Sequence, residues 1–578
     1  MSLLSATVLA IWFAAFAFEV AAQAPADPPL GADRPAFADQ IDLGAFGWLA
    51  VHSEGRVKSF DSFARSMMKY ITGPRTIDGR SSSFTYLDLM FRPEQYEDVD
   101  HIYVKNKLVR AGIARALGDS IDRERREQFM RRGLISPQRL AERGVQAALA
   151  QLSTDLMRTA RYVDAIENAR LARDPMNLRR ALRFVAPPDG GADAPWRTLD
   201  ELAMFGGQRA DLARMPAELR QQLVIQWVAL ADAWRRADAS DVNAAARQLA
   251  ALLPTVNGDP AVYPPVQKLA WESWYFRSGN MTWIWLIYAA SLVPLLLFVA
   301  FRWSAARWCG LLVFFAAFGL HTFAVVLRWY VSGRWPNANM FEAVTTAAWF
   351  GGCFAVMFEI LARRSPVRGL VALGSAAASM TALMATRFYP LELDASIGNM
   401  TPVLHDVWLY IHTNVIIFSY ALIFMASISA VLYLLYRGGK SLRGDGGADE
   451  FARIGGAGSL IMTTSEDGPY LARARTTIGQ VLDGTTMILI ELSFILLWAG
   501  IVMGAIWADH SWGRPWGWDP KEVFALNTFI IFALLIHVRL KVKDKGLWTA
   551  ILAVIGCAVM LFNWIIINFT IAGLHSYA

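Results

Sequence analysis

After Met281 the chain carries eight apolar stretches, each long enough to cross a bilayer: about 281–301, 308–327, 340–361, 369–386, 409–436, 484–506, 521–538 and 547–572. A hydrocarbon core offers the backbone no water, so each stretch must satisfy its own N–H and C=O groups, and runs of ~20 apolar residues do so as helices. This pattern alone predicts an all-α polytopic membrane domain over 278–578. Residues 25–277 read differently. Charged and apolar residues are mixed there, and apolar positions recur at helical spacing over 138–173, over 217–253 and in the segment from Gly55 to Tyr70. Pro187-Pro188-Asp189-Gly190-Gly191 breaks the pattern, and no repeat period is present. The expectation is a separate, mainly helical domain ahead of the spans. Residues 4–18 are apolar and Ala22-Gln23-Ala24 resembles a signal-peptidase site, so 1–24 reads either as a signal peptide or as a single anchor. Both readings put the domain that follows outside the cytoplasm.

Loop charge sets the orientation. With the N-terminal domain outside, the inner loops hold 15 Lys and Arg residues and the outer loops 5, as the positive-inside tendency requires. The net charge of +6 is thus a matter of topology, and nucleic acid is not an expected partner; membrane lipid is. The three cysteines, Cys309, Cys353 and Cys557, lie in or beside apolar stretches and form no Cys-x-x-Cys pair. That excludes a disulfide framework, a dithiol redox centre and covalent haem on this chain itself.

One outer segment is unusual. Residues 507–522, WADHSWGRPWGWDPKE, hold Trp507, Trp512, Trp516 and Trp518 within sixteen positions. Interfacial anchoring accounts for one or two indoles. A cluster of four suggests an aromatic surface for a large planar ligand. Asp519-Pro520-Lys521-Glu522 also has the form of a helix start, with an acidic cap, Pro in the first turn and Glu behind it. Of eight histidines, His405 and His412 lie at the outer entrance of the fifth span, His510 in the tryptophan segment and His575 in the outer tail, while His321 and His537 fall inside spans. His412 and His575 flank the tryptophans from two spans, and neutral imidazole ligates haem iron well. Zinc is the competing metal, but neither a Cys cluster nor a His-Glu-x-x-His helix is present. An intramembrane histidine is a functional candidate by default, against the alternative of a hydrogen-bonded packing residue. Counted from their outer span ends, His321 sits ~9 Å deep and His537 ~22 Å, at 1.5 Å rise per residue, which opposes a shared iron.

Residues 512–522, WGRPWGWDPKE, resemble the WWD signature of the haem-handling protein superfamily. The run on to His537 and Arg539 is similar to CcsA (also called ResC), the membrane subunit of the System II cytochrome c synthase. So are 321–349, VWLYIHTN (407–414) and NFTIAGLHSYA (568–578). Segments 55–73 and 87–106 resemble the extracytoplasmic region that precedes CcsA in some fused CcsB–CcsA proteins. The resemblance implies a protein of the bacterial inner membrane that binds haem b as substrate at the outer face. It implies His412 and His575 as external axial ligands, and Trp512, Trp516, Trp518 and Asp519 as the haem platform. His537, paired with His321 or with a residue of a partner, would hold a second haem within the membrane. Arg328, Arg334, Asn337 and Asn339 would either receive propionates or anchor at the interface, and Asp519 would either orient an imidazole or cap a helix. Partners implied are an apocytochrome c with Cys-x-x-Cys-His, a CcsB/ResB-type membrane subunit and thiol-reducing proteins. The activity is that of a haem lyase or part of one; the alternative is a haem exporter or carrier that supplies a separate lyase.

Overall fold

The computed structural model describes residues 33–361, 367–399, 406–444, 477–568 and 571, apart from 75, 192 and 207. The chain divides between Ser278 and Gly279 into two compact units.

The N-terminal unit is mainly helical with two small sheets. Its first sheet is a hairpin, β1 (Ala50–Ser53) against β2 (Arg56–Ser59), with Val51 opposite Lys58. Glu54 and Gly55 both take positive φ, 52° and 74°, the backbone that matches a two-residue turn to strand twist. The helical spacing read from Gly55 onward therefore starts only at Phe60. Arg56–Ser59 is drawn into the hairpin, and Ser59 caps the helix Phe60–Thr72 by accepting from the Ser62 N–H. Likewise 217–253 is two helices, Ala217–Arg235 and Ala239–Leu252; Ala237 turns to φ 56° and Asp238 caps the second. The stretch 138–173 divides into Pro137–Leu140, Arg143–Leu152 and Ala160–Ala172.

Two hydrophobic cores result. One draws on residues 37–99 and 178–269 around Trp234, the other on 102–169. In the first, Asp88 is fully buried and accepts from Arg92 Nε (2.7 Å), Tyr96 O–H (2.7 Å) and Trp234 Nε1 (2.9 Å). Three donors on one carboxylate offset the cost of burying its charge.

Among the described residues, the second unit holds eight helices long and apolar enough to span a membrane. They are α1 (Trp285–Phe301), α2 (Ser304–Ser332), α3 (Met340–Leu361), α4 (Leu370–Phe388), α5 (Val407–Leu442), α6 (Ile478–Trp512), α7 (Pro520–Lys541) and α8 (Lys545–Leu561). The chain is a multi-pass membrane protein. A π-helical turn, Phe562–Ile567, prolongs α8. With 36 and 35 residues, α5 and α6 reach over ~50 Å at 1.5 Å per residue, well beyond a ~30 Å hydrocarbon core. They pack along one another, and glycines on α6 permit the approach: a Cβ built on Gly500 meets Ile416 at 2.5 Å, and one on Gly504 meets the His412 ring at 2.6 Å.

Several ionisable residues inside this unit are paired. Arg539 meets Asp483 through two bonds of 2.8 and 2.6 Å and also donates to Thr549 (2.6 Å). Arg307 meets Glu359 at 3.3 Å and Arg437 meets Asp544. These three pairs lie where α2, α6 and α8 begin and α3, α5 and α7 end. At the opposite end, the α6–α7 connection and the first turns of α3 and α5 come together.

Candidate functional site

A cleft opens at that opposite end. Leu409, His412, Ile416 and Tyr420 of α5 form one wall, and Ile501, Gly504, Ala505 and Trp507 of α6 the other. Asn337 to Met340 and Pro515, Trp516, Lys521 and Glu522 form the rim, and Asn563, Trp564 and Asn568 line it from the end of α8. The π turn brings these last three into place; such turns recur at functional sites because they rotate side chains out of helical register. Asn563 donates to the Tyr420 hydroxyl at 3.2 Å.

His412 is half-buried on the α5 wall. Its Nδ1–H donates to the carbonyl of Gly500 at 2.7 Å. A carbonyl can only accept, so the neutral ring carries its lone pair on Nε2. This is the arrangement that a metal-ligating histidine usually shows, with one nitrogen held by the protein and the other left basic. Gly504 supplies the space, since any Cβ there would lie within 3.2 Å of three ring atoms.

The tryptophans do not form one flat surface. α6 continues through Trp507 to Trp512 and stops at Gly513, whose φ of 68° is the left-handed cap. The connection itself is only Gly513 to Asp519. Trp507 is buried and lines the cleft; Trp512 packs on it edge-on, with ring centres 4.8 Å apart. Trp516 lines the cleft, and Trp518 stands perpendicular to it at 6.2 Å with 76% of its surface exposed. Trp518 takes φ 56°, uncommon for a bulky residue, and this turns the chain into the α7 cap. There Asp519 accepts from the Lys521 N–H (3.0 Å), while Glu522 accepts from the N–H groups of Asp519 (3.1 Å) and Gly517 (2.9 Å), with Pro520 in the first turn. The expected capping arrangement is thus present in full, and it fixes the connection that carries Trp516.

Arg328 and Arg334 are not open at the interface. α2 runs on to Ser332, Arg328 is buried, and both guanidiniums bind Glu342 of α3. Asn339 donates to the Ser396 carbonyl and caps the Glu342 N–H, and Asn337 donates to the Thr413 hydroxyl. Glu342 escaped the sequence reading, although an acid inside an apolar stretch is itself a signal.

The intramembrane histidines have different surroundings. His321 is buried, with Nδ1 at 3.2 Å from the Tyr288 hydroxyl. His537 is on the exposed face of α7, its Nδ1 donating to the Ala533 carbonyl of its own helix at 2.7 Å. Among the described residues no hydrogen bond or ring contact joins them. With α2 extended to Ser332, His321 is ~16 Å along its helix from that end and His537 ~25 Å from Pro520, at 1.5 Å per residue. His510 is exposed on the last turn of α6. His405, His575 and the 1–24 segment lie outside the described residues.

Among the described residues no three His, Cys, Asp or Glu side chains gather as a metal site. One oriented imidazole in an apolar, indole-lined cleft instead suits an iron whose equatorial positions a porphyrin fills.

The sequence pattern of the family described as Cytochrome C assembly protein matches residues 337–575, which spans the cleft. The chain is 32% identical over 264 residues to the cytochrome c biogenesis protein CcsA of Parasynechococcus marenigrum (strain WH8102), covering 45% of this chain and 82% of that protein. It is 30% identical over 267 residues to that of Pyropia yezoensis, covering 44% and 82%. It is 31% identical over 277 residues to that of Synechocystis sp. (strain ATCC 27184 / PCC 6803 / Kazusa), covering 43% and 82%. These matches and the fold that carries them make this chain a member of the CcsA family of cytochrome c biogenesis proteins.

Proposed function

We propose that this cytochrome c biogenesis protein holds haem in the cleft between α5, α6 and α7 and presents it to the Cys-x-x-Cys-His segment of an apocytochrome c. The observation that carries the reading is the Nδ1–H bond from His412 to Gly500 O, which orients a basic Nε2 on the wall of an apolar cleft. His412 ligates the iron from one side and His575 from the other. Trp507 and Trp516 cover the porphyrin, with Trp512 and Trp518 backing them. The substrate is haem b, whose two vinyl groups remain free to react.

Attachment needs no oxidant. Each thiol adds across one vinyl group: sulfur bonds to the carbon next to the ring and the thiol proton goes to the outer carbon. The protein's contribution is position, with two thiols and two vinyls held in reacting geometry. The histidine of the apocytochrome then replaces one of the two protein imidazoles, and haem leaves with the product. Thiols and iron must stay reduced, so thiol-reducing proteins act alongside.

The Arg and Lys excess at the end bearing the Arg539–Asp483 pair supports a cytoplasmic position for that end, in a bacterial inner membrane. The cleft, the N-terminal unit and the C-terminus are then on the outer side. Residues 1–24 form a signal peptide or anchor, 25–277 the extracytoplasmic domain, and 278–578 the CcsA-type domain. His537, exposed on α7, ligates a second haem during export, with the other ligand supplied by a CcsB/ResB-type subunit packed on that face. Buried against Tyr288, His321 is the less accessible partner.

The test is the visible spectrum of the purified protein, oxidised and reduced, beside a His412→Gly, His575→Gly double variant. Low-spin α and β bands that weaken in the variant and return with added imidazole support external bis-histidine haem. An unchanged spectrum moves the haem to His537 and favours the exporter reading. A wild-type protein that never carries haem when its host is supplied with it sinks both.

A further inference from the structure

We propose that Glu342 is a positioning residue for this site: by clamping Arg328 and Arg334 it holds the segment 333–339 against the first turns of α5 and so fixes the rim beside His412. The inference rests on the haem reading above.

Glu342 has no exposed surface. A carboxylate so placed persists only if its lone pairs are all engaged. Its Oε1 accepts from Arg328 Nε at 2.8 Å and from Arg334 Nη2 at 3.3 Å. Its Oε2 accepts from Arg334 Nη1 at 2.8 Å and from the Ala338 N–H at 2.7 Å. Carbonyls also accept from the two guanidiniums: Ala395 (2.9 Å) and Ser396 (3.3 Å) from Arg328, and Trp335 (3.3 Å) from Arg334. Neutralising Glu342 would need one arginine. The second arginine and the Ala338 N–H instead tie down both ends of a short connection that has no secondary structure of its own.

That connection reaches the ligand helix. Trp335 Nε1 donates to Asn414 Oδ1 at 2.9 Å, and Asn337 Nδ2 donates to Thr413 Oγ1 at 3.2 Å. Thr413 and Asn414 directly follow His412, and Asn337 and Ala338 line the cleft. A continuous line of hydrogen bonds therefore runs from a buried ion cluster to the turn that bears the imidazole.

The experiment uses the full chain in nanodiscs, loaded with haem. Hydrogen exchange reads the 333–339 amides, and external imidazole is titrated against the His412–iron bond by its spectral shift. Expected for Glu342→Gln is exchange over 333–339 and an imidazole midpoint each changed by about ten-fold or more, faster and lower respectively, as loss of charge-assisted bonds implies. Glu342→Asp should recover part of both. Trp335→Phe, which leaves the clamp intact but removes the bond to Asn414, should lower the imidazole midpoint without freeing the Ala338 amide. If Glu342→Gln leaves both readouts unchanged, or frees the segment without moving the midpoint, the positioning role is wrong. Should Glu342→Gln fail to accumulate, a Trp335→Phe, Asn337→Ala variant with a wild-type midpoint overturns it equally, and a lowered midpoint supports it. A wild-type protein without haem fails the haem reading and takes this role with it. A haem-loaded wild type with an indifferent Glu342→Gln fails the positioning role alone.

Discussion

Replacing Gly504 by alanine tests whether the α5–α6 approach exists to serve His412. The added Cβ would lie 2.6 Å from Cε1 and 2.8 Å from Nδ1 of the ring. Ordinary contact between such atoms is ~3.5–4.0 Å, so the imidazole must retreat by about 1 Å. Nδ1 now sits 2.7 Å from Gly500 O, and a retreat of that size carries the bond past the ~3.2 Å limit of a good N–H···O contact. The loss is a half-buried hydrogen bond, ~0.5–1.5 kcal/mol, plus a strained rotamer, ~0.5–1.5 kcal/mol. Together they would weaken the proposed iron ligation by ~1–3 kcal/mol, or about 5- to 150-fold in haem affinity. Haem titration of the apoprotein measures this, with the low-spin bands as readout and added imidazole as rescue. Gly556→Ala is the control. Its Cβ meets the Phe532 ring at 2.7 Å, outside the cleft lining, so it should cost stability and leave haem affinity unchanged. A Gly504→Ala protein with wild-type affinity and spectrum would refute the argument. So would a loss of affinity that imidazole does not restore.

Two other perturbations have determined signs. Asp483→Ala leaves Arg539 charged and 1% exposed at the C-terminal end of α7; removing one partner of a buried pair costs ~3–5 kcal/mol, seen as a lower thermal midpoint in detergent. An Asp483→Leu, Arg539→Met pair should recover most of it, and equal losses in the single and double variants would contradict the reasoning. In the N-terminal unit, burial first, then the charges of Arg183 and Lys58, lower the His52 imidazole below its usual 6.5. The unfolded chain then binds the proton first. The His52 contribution to stability is complete above pH 6.5 and declines as pH falls from there toward the lowered folded value. Exchange protection over β1 and β2 should weaken from pH 7.5 to pH 5 and weaken less in His52→Gln; identical slopes would exclude His52 as the cause.

The membrane half was legible because its constraint is simple. Eight apolar stretches must be eight helices, and the acidic cap, Pro520 and Glu522 marked the start of α7 from sequence alone. Helix ends were less legible. α2 continues past Leu327 because Arg328 has Glu342 to bind, and α6 continues through Trp507 because nothing before Gly513 stops it. Both extensions depend on partners remote in the chain or on the absence of a local breaker, and hydropathy windows register neither. The hairpin at 50–59 was hidden for a related reason. Val57 and Phe60 fall three apart, a helical interval, while the turn at Glu54-Gly55 that forces strand pairing is a single dipeptide.

The cleft was legible in its histidine and its indoles and illegible in how they divide. Four tryptophans close in sequence suggested one surface, yet helical rotation sets Trp512 edge-on against Trp507 and the turn at Trp518 sends it outward. The consequence bears on function. A platform of four coplanar indoles would grip a porphyrin over its whole face. The three lining indoles, Trp507, Trp516 and Trp564, with one half-buried imidazole and an open rim, would grip it less completely. That is the balance the proposed synthase role would require, because a product that takes its haem away must be able to displace an axial ligand. The Glu342 clamp then lies behind the rim, where it holds geometry without adding contacts that would have to be broken on release, while the Asp519–Glu522 cap fixes the rim segment that carries Trp516.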